Sequence, residues 1–281
     1  MKTKITILCE NTAQIPFPVI AEHGLSMLVE QDDVTLFDTG QGMALMHNMK
    51  VLGKNPESVD RVVLSHGHYD HTGGLSAFLQ SRGRQTDVHL HAEAFNPRFA
   101  VVPLGDGKIF ERNIGMPLAR DEYENNGALF HETAGQTRIT DNIVFATDIP
   151  HAEGWTSFDI RLKQKIGSEY IDDPFRDDGS LLLDTDSGPV VLLGCAHSGI
   201  CEILDSLAEK NGLDRFHAVI GGSHLGAAPP EYINQAIDTL KKYRVSKACL
   251  VHCTGPAAAC RAATGLGDIF QFGATGTSFE F

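Results

Sequence analysis

Between Ser65 and Gly74 the chain reads Ser-His-Gly-His-Tyr-Asp-His-Thr-Gly-Gly, which places His66, His68, Asp70 and His71 within six residues. Three imidazoles and a carboxylate are the donors that borderline-soft ions such as Zn²⁺ or Fe²⁺ prefer. In extended chain, residues two apart share a face. His66 and His68 can therefore grip one ion while the turn through Tyr69 redirects Asp70 and His71 toward a second. Two divalent ions a few ångströms apart lower the pKa of a shared water and neutralise charge developing on an attacked centre. The segment points to metal-assisted hydrolysis, with Asp70 serving as ligand and catalytic residue. The competing explanation is a polar surface loop with incidental histidines, and this density of donors beside glycines argues against it.

Other residues fall where they can join this group. His197 lies just beyond the apolar run Val190–Leu193 and either completes the first metal position with His66 and His68 or contacts substrate or scaffold. His224 follows the run Ala218–Gly221 and should face the same rim, where an imidazole can hydrogen-bond a substrate oxyanion as a catalytic group, or simply brace the fold. Asp38 sits at a strand end, either as acceptor for a ligating imidazole N–H or as an Asx-turn residue. His91, His151 and Arg98 receive no metal role.

These residues need a scaffold that brings strand ends together. Short strands are expected at Ile5–Cys9, Leu25–Glu30, Val34–Phe37 and Val62–Leu64, with a helix over Met43–Leu52. The last third alternates strand Val190–Leu193, helix Ile200–Lys210, strand Ala218–Gly221, helix Glu231–Tyr243 and strand Ala248–His252. A β-rich start followed by strand-helix alternation predicts an α/β layered architecture. Residues 97–140 show no sustained period and read as an irregular, pocket-covering insertion in a single domain spanning 1–281.

A net charge of −13 opposes nucleic acid, whose binding rests on Lys and Arg contacts to phosphate, and favours a small-molecule substrate, phosphorylated or ester-like. No apolar run approaches the roughly 20 residues of a membrane span. The alternating start Met-Lys-Thr-Lys-Ile-Thr-Ile lacks a secretory core, so a cytoplasmic protein with no membrane association is expected. Six cysteines without a CxxC pair read as reduced thiols. No feature fixes the oligomeric state.

The Ser65–Gly74 segment resembles the HxHxDH signature of the metallo-β-lactamase superfamily. Glu22-His-Gly-Leu-Ser26, Phe37-Asp-Thr-Gly-Gln-Gly42, Gly194-Cys-Ala-His-Ser-Gly199, Gly221-Gly-Ser-His-Leu225 and His252-Cys-Thr-Gly255 resemble one subgroup, that of the archaeal 7,8-dihydropterin-6-methyl-4-(β-D-ribofuranosyl)aminobenzene-5'-phosphate synthases. The resemblance implies a four-layer αββα sandwich with two divalent metal ions at the rim between its sheets. Zn²⁺ is the expected ion, with Mn²⁺ or Fe²⁺ compatible. His66, His68, Asp70 and His71 are the implied ligands, and His252, after the last expected strand, would complete the second position with Asp70 and His71.

In one place the chain departs from the superfamily pattern. The strand ending in Gly-Asp, whose carboxylate bridges the metals, is matched by Gly194-Cys195. Three substitutes stay open: a Cys195 thiolate, an oxygen of Asp178, or water alone, with Cys195 ranked first as a buried, non-ligating residue. The resemblance implies a metal-dependent hydrolase. Its subgroup raises a condensation between a dihydropterin diphosphate and a ribofuranosylaminobenzene phosphate, and the missing carboxylate raises a non-catalytic metal sensor.

Overall fold

In the computed structural model, which describes residues 2–281, the chain begins with β1 (Lys4–Cys9), β2 (Ser26–Glu30) and β3 (Val34–Phe37), an antiparallel meander. Helix α1 (Leu45–Val51) leads to β4 (Arg61–Val63), the single turn α2 (Tyr69–Thr72), α3 (Leu75–Arg82) and β5 (Thr86–His91). Then come β6 (Arg98–Gly105), β7 (Lys108–Asn113), α4 (Arg120–Asn125), β8 (Ala128–Thr133), β9 (Gln136–Thr140) and β10 (Ile143–Ala146). The remainder runs β11 (Leu162–Ile166), β12 (Glu169–Asp172), β13 (Ser180–Leu183), β14 (Val190–Leu193), α5 (Ile200–Asn211), β15 (Ala218–Gly222), α6 (Pro230–Lys242), β16 (Lys247–Val251), α7 (Pro256–Leu266) and β17 (Ser278–Glu280).

A seven-stranded sheet has the order β17-β1-β2-β3-β4-β5-β8, and a six-stranded sheet the order β16-β15-β14-β13-β10-β9. Strand alternation decides what lies between them. Ile5 and Ile7 of β1 point inward to meet Phe145, Leu181, Leu192 and Ile220 of the second sheet. On the outer face of the first sheet, Leu8, Leu28 and Leu36 pack on Leu45 and Met49 of α1 and on Phe78 and Leu79 of α3. Outside the second sheet, Val191, Leu193 and Val219 meet Ile203, Leu207, Ile237 and Leu240 of α5 and α6. The layers are therefore αββα. Among the described residues no helix is long and apolar enough to cross a membrane.

Residues 97–140 are not irregular. β6 and β7 form a hairpin that pairs with β11 and β12 in a separate four-stranded sheet, while β8 and β9 become edge strands of the two main sheets. The sequence hides this because β6 and β7 are half-exposed or exposed along most of their length, so no apolar face alternates with a polar one. One local signal was available: Asp106 and Gly107 both take positive φ (49° and 72°), the backbone that an Asp-Gly hairpin turn demands.

On the face of β5 turned away from α1 and α3, His89 lies opposite His131 of β8 with the rings stacked at 4.9 Å. Burial, and then the neighbouring His131 and Arg61, push His89 down to about 4. Its folded pKa lies below the unfolded value of about 6.5, so the stability gained by keeping it neutral is complete above pH ~6.5 and is lost as pH falls toward 4. Denaturant unfolding between those pH values should show a smaller decline for His89→Gln than for the parent. Parallel curves would contradict this.

Candidate metal centre

Parallel pairing places the chemistry-bearing residues. β3, β4 and β5 run parallel, as do β14, β15 and β16, and ligand sites of open α/β sheets form at the carboxyl ends of such strands. Asp38 follows β3, the His66–His71 segment follows β4, and Cys195 with His197, His224 and His252 follow β14, β15 and β16. Asp38, His224 and His252 all adopt positive φ, turning sharply out of their strands.

The ligand loop is clamped from below. Gly67 N–H donates to Asp177 Oδ2 at 2.9 Å, and Asp177 is held by the fully buried Arg98. A Cβ on Gly67 would lie 1.8 Å from the Ala94 carbonyl oxygen, so only glycine lets the chain pass between His66 and His68. Asp38 accepts from Ser65 N and Ser65 Oγ, both at 2.7 Å, and its Oδ2 lies 2.7 Å from His71 Nδ1. The last contact orients the ring so that Nε2 faces the cleft.

Two donor clusters result. In the first, ligand atoms of His66, His68 and His197 lie within 4.8 Å of one another, with His66 Nε2 3.0 Å from His68 Nδ1. In the second, His252 Nε2 is 3.2 Å from His71 Nε2 and 3.3 Å from Asp70 Oδ2, which is 3.9 Å from His71 Nε2. Donors bound to one ion at about 2.0–2.1 Å stand roughly 3.3 Å apart at tetrahedral angles, so these spacings suit a metal. Asn11 Oδ1 contacts His252 Nδ1 at 2.9 Å, which frees its Nε2. His68 Nε2 and both ring nitrogens of His197 are buried without a hydrogen-bond partner. Buried polar atoms are costly when orphaned, and an ion held by this cluster would satisfy one ring nitrogen of each histidine that binds it.

The electrostatics agree with ligation. Burial, reinforced by neighbouring imidazoles for His66 and His197 and by Arg98 for His68, drives all three well below the usual histidine range, leaving neutral donors. Burial opposes ionisation of Asp70, but contacts from His23 and His252 hold its carboxyl well below the usual range. Burial likewise disfavours a charged His71, yet Asp38 prevails and lifts it to about 9, so an ion bound there would displace a proton.

His224 adjoins the first cluster: its ligand atom lies within 4.8 Å of those of His197 and Cys195, and its ring centroid is 4.3 Å from that of His197. Both its ring nitrogens are buried without partners, and Nε2 lies 3.9 Å from Asp159 Oδ2. A cleft of about 230 Å³ opens over these groups, walled by Ala100 and Ile114 from the β6–β7 region and by Arg161 and Leu162. A cavity of similar size lined by Arg138, Asn142 and Asp184 contains none of the metal donors.

Some residues singled out by sequence lie elsewhere. His91 contacts Asp148 at 3.2 Å, His151 stacks on Trp155, and Arg98 is a buried strut. Asp178 is not among the converging donors: Oδ2 accepts from Ser198 N at 2.9 Å, and burial lifts the carboxyl to about 7 against that hydrogen bond. Sequence reasoning missed Glu10, Asn11, Glu22, His23 and Cys253. Glu22 accepts from the four consecutive N–H groups of Gln41 to Ala44 and fixes the loop after Asp38. His23 reaches Asp70 Oδ2 at 3.2 Å from the rim.

Residues 20–221 match the family model of the metallo-β-lactamase superfamily. The chain belongs to that superfamily. It is 30% identical over 264 residues to the 7,8-dihydropterin-6-methyl-4-(β-D-ribofuranosyl)-aminobenzene-5'-phosphate synthase of Methanocaldococcus jannaschii, covering 90% of this chain and 87% of that enzyme. A solved superfamily structure, Tm1679, described as a metal-dependent hydrolase, superposes with a TM-score of 0.84 at 27% identity over 99% of both chains. Ribonuclease Z of Lactococcus lactis matches over 128 residues at 27% identity, 40% of that enzyme. The superfamily fold accounts for donors at the rim between the sheets. In this member Cys195 follows Gly194 at the end of β14, and its Sγ lies 3.1 Å from His71 Nε2.

Proposed function

We propose that this superfamily member is a metal-dependent synthase that joins a pterin-type methylene carbon to the nitrogen of a phosphorylated arylamine. The observation that carries the reading is the 30% identity to the archaeal synthase, which extends over most of both chains and so is not confined to the scaffold. His66, His68 and His197 would hold one ion, and Asp70, His71 and His252 the other. When bound, two divalent ions supply Lewis acidity that neutralises charge on phosphoryl oxygens and lowers the pKa of water.

The protein's own groups supply binding and proton transfer. Ala100, Ile114 and Leu162 offer an apolar wall for a flat ring. The Arg161 guanidinium, steadied by Asp159 at 2.6 Å, and Arg112, over the Tyr69 ring at 5.3 Å, bring positive charge to the phosphate groups. The arylamine lone pair forms the new C–N bond as the methylene C–O bond breaks, and diphosphate leaves with that electron pair. An unpartnered ring nitrogen of His224 takes the proton that the amine gives up.

Hydrolysis of a small phosphorylated or ester-like substrate is the second reading, favoured by the likeness to Tm1679. The two separate when protein loaded with Zn²⁺, Mn²⁺ or Fe²⁺ receives a dihydropterin diphosphate with and without a ribofuranosylaminobenzene phosphate. Diphosphate release that requires the amine and matches coupled product supports the synthase, and His224→Ala should slow it by about 10²–10⁴-fold. Amine-independent release supports the hydrolase. No turnover by metal-loaded protein on either arm, or on a phosphoester panel, would favour a sensor.

A further inference from the structure

We infer that the Cys195 thiolate is a ligand shared by both metal positions, standing where other superfamily members carry a bridging carboxylate. The inference rests on the two-metal reading and concerns which atom links the two clusters. Cys195 is 3% exposed, and its sulfur converges with donors of both. Its ligand atom lies within 4.8 Å of those of His66 and His71, of His197 and His224, and of His252 and Cys253. His66 and His197 belong to the first cluster and His71 and His252 to the second, so the sulfur sits at their seam. A metal with bonds of about 2.3 Å to sulfur and 2.0–2.1 Å to nitrogen places those atoms roughly 3.5 Å apart, near the 3.1 Å between Sγ and His71 Nε2.

The backbone is built to deliver that sulfur. A Cβ on Gly194 would fall 2.3 Å from Ser65 Oγ, and one on Gly222 would fall 2.3 Å from the Gly194 carbonyl oxygen and 2.8 Å from Cys253 Sγ. Glycine at both positions lets the ends of β14 and β15 close around Cys195 and press it toward the ligand loop. Ala196, at φ 56°, then turns the chain so that His197 faces the same space.

The alternatives for the linking position are placed elsewhere. Asp178 serves the Ser198 amide through Oδ2, and although its Oδ1 is buried without a hydrogen-bond partner, the carboxylate is not among the converging donors; Asp70 belongs to the second cluster. Cys253 Sγ accepts from His224 N at 3.2 Å and donates to the Cys195 carbonyl at 3.4 Å, which places it beside the seam. With Cys195 added, each position gains a fourth protein donor, and a soft donor favours Zn²⁺, Fe²⁺ or Co²⁺ over Mg²⁺ or Mn²⁺.

The test is X-ray absorption at the zinc edge on zinc-loaded protein whose metal content is measured in the same sample. The expected result is about two zinc ions per chain with one sulfur neighbour per zinc at about 2.3 Å. That shell should vanish in Cys195→Ser and persist in Cys253→Ser. Two zinc ions with only nitrogen and oxygen neighbours, or one sulfur for every two zincs, would overturn the shared thiolate while leaving the metal centre intact. Loss of the shell in Cys253→Ser but not in Cys195→Ser would overturn it as well. Failure to take up zinc at all would remove the two-metal reading beneath it. If Cys195→Ser does not fold, the sulfur count of the parent decides.

Discussion

Asp38→Ala is expected to lose about 3–5 kcal/mol of folding stability and to bind metal 10–100-fold more weakly. The side chain is fully buried and serves Ser65 N, Ser65 Oγ and His71 Nδ1, all at 2.7 Å. Alanine leaves Ser65 N and His71 Nδ1 buried without a partner, each at about 1–3 kcal/mol when its loss is not repaired, while Ser65 Oγ keeps only its contact with His66 Nδ1 at 2.8 Å. It also releases the His71 ring, whose Nε2 then no longer has a fixed direction. Asp38→Asn separates the two effects. It keeps the shape and one acceptor but removes the charge that lifts His71, so it should recover part of the stability and less of the affinity. Denaturant unfolding and chelator competition measure the two quantities. A variant with parental affinity would show that Asp38 shapes the turn and does nothing for the ligand.

Arg98→Met should be comparably damaging through a different mechanism. The guanidinium is fully buried, donating from Nε to Asp173 Oδ2 at 2.7 Å and from Nη2 to Asp177 Oδ1 at 2.6 Å. Removing it strands two buried carboxylates, a loss of about 3–5 kcal/mol for a broken buried pair. Burial already lifts Asp177, and Arg98 opposes that rise, so the folded pKa should climb further in the variant. A carboxyl whose folded pKa exceeds its unfolded value gains stability as pH falls. The deficit relative to the parent should therefore be largest near pH 7 and shrink toward pH 5. A deficit independent of pH would indicate lost packing alone. Because Asp177 also holds Gly67, metal affinity should fall in the same variant.

Much of the centre was legible because its ligands are local in sequence or follow strands with plain signatures. His66 to His71 need only a turn to diverge, and Val190–Leu193 and Ala218–Gly222 are apolar runs of the kind parallel strands require. Their carboxyl ends then locate His197 and His224. The supports were illegible because they act across the chain: Glu10 Oε1 accepts from His252 N over 242 residues, and Glu22 serves amides about 20 residues away. No spacing encodes such partnerships. The β6–β7 hairpin escaped notice because an exposed strand has no face to bury. Cys195, ranked as a buried spectator because free cysteines commonly are, proved to be surrounded by metal donors, a fact of tertiary convergence that its sequence neighbours do not disclose.

The most direct test of the two-metal centre is elemental analysis of protein purified without chelating media, together with His68→Ala and Asp70→Ala, each offered Zn²⁺, Mn²⁺ and Fe²⁺. The expected result is about two equivalents of metal in the parent and a marked loss in each folded variant, because each substitution removes a donor from a different cluster. A parent that retains none of the three ions, or variants that keep the full complement, would contradict it.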